Sequence, residues 1–96
     1  MEQIKTLGQI ISRLYEFDPE ETIYAMEPWA ESSPALVALE PEDELLPEEA
    51  KSAGLDYFLE IFIAMEVVEG WLEDQDEPKS VSDICNRVIE YAINDA

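Results

Sequence analysis

The sequence predicts an α+β domain, mostly helical, with a small two-stranded sheet packed on a central apolar helix in the order α-β-β-(short α)-α-α. Three observations predict it: apolar residues at helical spacing towards both ends, two β-rich stretches separated by prolines, and one long apolar run from Gly54 to Gln75. A chain of 96 residues suits a single domain, residues 1–96, and its 47% apolar composition can bury a small core.

Residues 2–17 carry Ile4, Leu7, Ile11, Leu14 and Phe17 at helical spacing, and Asp18-Pro19 should end that first helix. Gly8 inside it is costly for a helix and marks a close contact with another helix. Thr22 to Met26 and Ala35 to Leu39 are the strand candidates, and Glu27 to Pro34 between them is a loop, long for a hairpin. Glu40 to Pro47 is acidic and turn-like. Pro47-Glu48-Glu49-Ala50 then starts a short helix, with proline and acids in its first turn, and Gly54 closes it. The central helix follows, with Leu55, Phe58, Leu59, Phe62, Met65 and Leu72 as its contact face. Residues 73–79 form a charged linker. Ser80-Val81-Ser82-Asp83 opens a last helix with Val81, Ile84, Cys85, Val88 and Ala92 on one stripe.

The net charge of −19 is the outlying property. Such a surface repels nucleic acid and anionic lipid, so a macromolecular partner should be a basic protein. The charge is also unevenly distributed. Neither Lys nor Arg occurs between Arg13 and Lys51, or between Lys51 and Lys79, and 20 of the 24 acids lie in those two spans. Two readings follow: a solvated acidic surface that maintains solubility, or a docking face. The N-terminus lacks a basic segment followed by an apolar one, and Glu60, Glu66 and Glu69 interrupt the long apolar run. Neither a signal peptide nor a membrane span is expected, which points to the cytoplasm.

The chain contains no histidine, which removes Ser-His-Asp and Cys-His nucleophile pairs and His-ligated metal sites. Cys85 cannot form an internal disulfide, and its place on an apolar stripe makes it an inert core thiol. Asp74 and Asp76 resemble the opening of an EF-hand loop, but the glycine position falls on Lys79 and the bidentate glutamate position on Cys85. The glycines Gly8, Gly54 and Gly70 are too far apart for a phosphate-cradling loop. No catalytic residue, cofactor or metal is therefore assigned, although an enzyme using carboxylates and a divalent ion remains an alternative.

Trp29 lies in the acidic, proline-flanked stretch EPWAESSP. It reads either as an aromatic anchor ringed by carboxylates or as a loop tryptophan folded onto the core. The stretches TIYAMEPW and LPEEAKSAGLDYFLEIFIAMEVVEGW resemble a group of small acidic bacterial proteins to which no function is assigned. By size and acidity alone the chain is also similar to bacterial immunity proteins, which neutralise basic toxins. The resulting expectation is a non-catalytic interaction module, of inhibitor or immunity type, that binds a basic protein. Its contact residues would be Glu27, Trp29 and Glu31 in the loop, with Glu40, Glu42, Asp43 and Glu44 beside it. The alternative is a small structural protein or homo-oligomer whose acidity serves solubility.

Overall fold

The computed structural model describes residues 4–42 and 46–94. Its elements are β1 (Lys5–Thr6), α1 (Leu7–Ile11), a 3-10 turn (Leu14–Glu16), β2 (Thr22–Ala25), β3 (Pro34–Ala38), α2 (Glu48–Ala53), β4 (Asp56–Glu60), α3 (Ile61–Glu73) and α4 (Val81–Asn94). The fold is α+β, with four strands in one antiparallel sheet of order β1-β3-β2-β4 and an overall arrangement β-α-β-β-α-β-α-α. This corrects the expected two-stranded sheet and the expected α-β-β-(short α)-α-α order.

Both corrections arise at the edges of the β2–β3 hairpin. Strand β3 pairs with β2 from Thr22↔Ala38 to Ala25↔Ala35, and its other edge takes β1 through Lys5↔Ala35 and Thr6↔Pro34. Helical periodicity predicted a continuous helix over residues 2–17. Instead Thr6 acts as an N-cap, its side chain accepting from the Gln9 amide while Gln9 reaches back to the Thr6 amide. The amides of Leu7 and Gly8 donate to the carbonyls of Ser33 and Glu31 at 2.8 and 2.9 Å. Those hydrogen bonds satisfy the amides at the helix start from outside the helix, so α1 begins at Leu7.

The opposite edge of β2 takes β4, so the first part of the expected central helix is a strand. Glu60 is the N-cap of α3, which starts only at Ile61. Five residues that set Tyr57, Phe58 and Leu59 between Asp56 and Glu60 do not distinguish strand from helix by period alone, and the unpaired edge of β2 decides the matter. The register slips between Ile23↔Leu59 and Tyr24↔Tyr57, leaving Phe58 as the extra residue of a bulge. Phe58 and Leu59 are consecutive and both buried in the same cluster.

Alternating residues divide the core between the two sheet faces. Ile23, Ala25, Ala35 and Val37 face a cluster with Leu7, Ile10, Ile61, Ala64, Cys85 and Val88, contributed by α1, α3 and α4. Tyr24, Leu36 and Ala38 face Ala50 and Leu55, supplied by α2 and the residue that follows its cap. Every residue of β2 is buried because both faces are covered. Gly54 closes α2 at φ 73°, a left-handed conformation that glycine adopts without steric cost. No helix among the described residues is long and apolar enough to cross a membrane.

Candidate interaction surfaces

The loop from Met26 to Ser33 is stapled to its surroundings. Trp29 Nε1 donates to the Ala25 carbonyl at 3.3 Å, and its ring meets Phe58 edge-on with centroids 4.8 Å apart and planes at 89°. The Ser33 hydroxyl accepts from the Ala30 amide and donates to the Pro28 carbonyl. Glu31 accepts from the Ser82 hydroxyl at 2.7 Å, tying the loop to the start of α4. Glu31 also crosses Gly8 so closely that a Cβ there would stand 2.6 Å from its side-chain Cγ and 3.3 Å from its backbone oxygen. The close contact that Gly8 signals is therefore with this loop, not with another helix. Of the three loop residues singled out from sequence, Glu27 is exposed, whereas Trp29 and Glu31 are half-buried and engaged.

Glu40 and Glu42 are exposed beyond the far end of β3, next to Leu39, whose side chain is 62% exposed. Asp43 and Glu44 lie outside the described residues. The loop follows the Ala25↔Ala35 end of the hairpin and Glu40 follows the Thr22↔Ala38 end, about 10 Å of strand apart. The fold thus separates Glu27, Trp29 and Glu31 from Glu40 and Glu42. Around Glu40 it gathers Leu46, Asp56 and Tyr57 instead. Burial, and then the charges of Glu60 and Glu40, raises the Tyr57 hydroxyl above its ordinary range. Burial and the same two carboxylates also raise Tyr24, against a lowering by the Thr22 side chain beside its fully buried hydroxyl, which lacks a hydrogen bond of good geometry among the described residues.

A third surface, not found by sequence reasoning, is the outer side of α3. Ile61, Ala64 and Val68 form its buried stripe. Phe62, expected to be buried, is 44% exposed, and Leu72 is 37% exposed. At 100° per residue, Phe62, Glu66, Glu69 and Glu73 fall within a sector of about 60°, so an exposed aromatic ring heads a row of carboxylates that begins about 6 Å and ends about 16 Å further along the helix. Glu69 accepts a hydrogen bond from the Tyr15 hydroxyl, linking this sector to the 3-10 turn. Next to it, α3 and α4 leave a groove walled by Ile63, Val67, Trp71 and Tyr91. Within a single helix from Gly54, Leu55, Phe58 and Leu59 share or border the sector of Phe62 and make it read as apolar. Counting from Ile61 separates the buried stripe from the exposed sector.

Cys85 is fully buried, and desolvation, aided by the charge of Glu31, pushes its thiol up to about 11. It stays protonated, and hence weakly nucleophilic, at neutral pH. Among the described residues no group of three or more Cys, Asp or Glu side chains is placed to hold a metal ion. No family model, curated protein or solved structure matches the chain.

Proposed function

We propose that this protein is a non-catalytic acidic interaction module that engages a basic protein, in the manner of an inhibitor or immunity protein. The observation that carries the reading is Phe62, an exposed aromatic side chain at the head of the acidic row Glu66, Glu69 and Glu73 on a chain of net charge −19. Carboxylates around an apolar contact accelerate encounter with a cationic surface, and the ring contributes apolar area once the two surfaces meet. Glu27, Glu40 and Glu42 extend the acidic field at the two ends of the hairpin. Trp29, engaged with Phe58, supports the loop from beneath.

The test uses the immobilised chain and the basic proteins it captures, with association rates measured at two salt concentrations. A rate that falls steeply with salt, and falls again when Glu66 and Glu73 or Glu27, Glu40 and Glu42 are replaced by Lys, supports the reading. An association rate indifferent to both overturns it. A second reading, a small homo-oligomer, draws on the same exposure of Phe62 and Leu72. A monomeric sedimentation profile across concentration eliminates it.

A further inference from the structure

We propose that the groove between α3 and α4 is the docking seat of this module, and that its occupant is a cationic amphipathic helix of the partner protein. The proposal rests on the interaction reading above and assigns it a place and a ligand shape. The walls of the groove are Ile63, Val67, Trp71 and Tyr91, and Glu66 and Asp74 mark its acidic edge. Arg87 also borders it, with its guanidinium paired to Glu90 at 3.0 Å. The volume is about 370 Å³, open along one side.

Three features select the occupant. Both walls are helices whose backbone groups are bonded internally, so the groove presents no strand edge. An extended segment lying there would leave its own amides and carbonyls unpaired, whereas a helix satisfies its own. The 13 residues of α3 span about 20 Å, enough to meet anchors at i, i+3 or i+4, and i+7 of an incoming helix. Gly70 lowers the surface midway along the groove: a Cβ there meets nothing within 4 Å, so a partner can approach the α3 backbone closely. The charge on the occupant follows from complementarity. A second copy of this chain would set −19 against −19, whereas Lys and Arg on the α3 side of an apolar stripe would meet Glu66, Asp74 and the neighbouring Glu73, opposite Arg87 and the Lys79 that lines the adjoining hollow.

The test titrates the full chain with a helical peptide of about 20 residues, with Leu on one stripe and Lys elsewhere, and with a scrambled peptide of the same composition. Backbone amide shifts report the location, and Gly70→Leu fills the groove without touching the core. That variant should melt no lower than the parent, since Leu is the better helix former. The expected result is salt-sensitive binding of the amphipathic peptide, with shifts at residues 63–74 and 87–91. Gly70→Leu should weaken it at least about tenfold, and the scrambled peptide should bind more weakly than the amphipathic one. Three results overturn the groove while leaving the acidic interaction reading intact: shifts confined to residues 27–31 or 40–42, equal binding by Gly70→Leu, or equal binding of the scrambled peptide. Self-association abolished by Gly70→Leu overturns it in favour of a second copy. Absence of any salt-sensitive peptide binding overturns the groove, while the interaction reading is overturned only by association rates with captured basic proteins that are indifferent to salt and to the Lys substitutions.

Discussion

Helices α3 and α4 are nearly equal in length, 13 and 14 residues, and pack side by side on the same face of the sheet. They use their apolar residues differently. In α4 the buried set Cys85, Val88, Ile89 and Ala92 forms one stripe, and Ser82, Asp83, Asn86 and Glu90 face outward. In α3 only Ile61, Ala64 and Val68 are buried, while Ile63, Met65, Val67 and Trp71 are half-buried and Phe62 and Leu72 are exposed. Val81 and Ile93 near the two ends of α4 are exposed as well, so the difference is one of degree. Four of the eight apolar residues of α4 are buried, against three of nine on α3, where the surplus runs along the helix. That difference teaches that a helix more apolar than its own core requires is a candidate contact surface, and that the surplus matters more than net charge in locating one.

The strongest test of the contrast compares neighbouring residues on α3. Ile61→Ala should cost about 2–5 kcal/mol by urea denaturation, because it opens a cavity under the sheet. Phe62→Ala should stay within about 1 kcal/mol, as expected of a side chain not closed in by the core. Equal costs would break the contrast and place Phe62 in the core.

The glycines sharpen it at smaller magnitude. Gly8→Ala should destabilise by about 1–3 kcal/mol, since its Cβ collides with Glu31 and disturbs the loop that carries Trp29. Gly70→Ala, with open space around the new methyl, should stabilise by about 0.5–1 kcal/mol through helix propensity. A loss at Gly70 in thermal melts would mean that the outer side of α3 is already occupied.

The smallest effect belongs to α4. At pH 7 to 8 the Cys85 thiol should not react with a thiol reagent in the native protein, but should react once urea unfolds it. The sign of its pH dependence follows from its position. The folded thiol is raised from 9.0 to about 11, so the unfolded chain releases its proton first. The stability linked to Cys85 is therefore present below pH 9 and lost as pH rises towards 11. Tyr24 and Tyr57 are raised as well and act in the same direction above pH 10. Labelling of the native protein at neutral pH would place Cys85 on an accessible side of α4.

Several elements are legible without coordinates because their signals are local. Helix α2 is bounded by Pro47 and Gly54, and the left-handed φ of Gly54 is what its position after a short helical run implies. The stretches that form β2 and β3 are β-rich and separated by turn residues, and Cys85, Val88 and Ala92 share the buried stripe of α4, although Ile84 is half-buried and Val81, expected on that stripe, is exposed. The boundary at Glu60–Ile61 was not legible, and with it went the surface of α3. Leu55, Phe58 and Leu59 suit either element, so the apolar run read as one helix and Phe62 fell on its inner side. Glu27, Glu31, Glu40 and Glu42 were legible as acidic, but not as belonging to opposite ends of a hairpin.

The sequence by itself determined the acidity, the absence of histidine, the local helix stops and the apolar surplus of residues 55–72, because these depend on residue type and near-neighbour spacing. Only the tertiary structure decided that β2 pairs on both edges, that the loop carrying Trp29 closes over Gly8, and that α3 turns Phe62 towards solvent. Backbone hydrogen bonds between distant segments made those choices. A strand edge left unpaired in the core costs more than the local preference of five ambiguous residues, so β4 is a strand and α3 begins at Ile61.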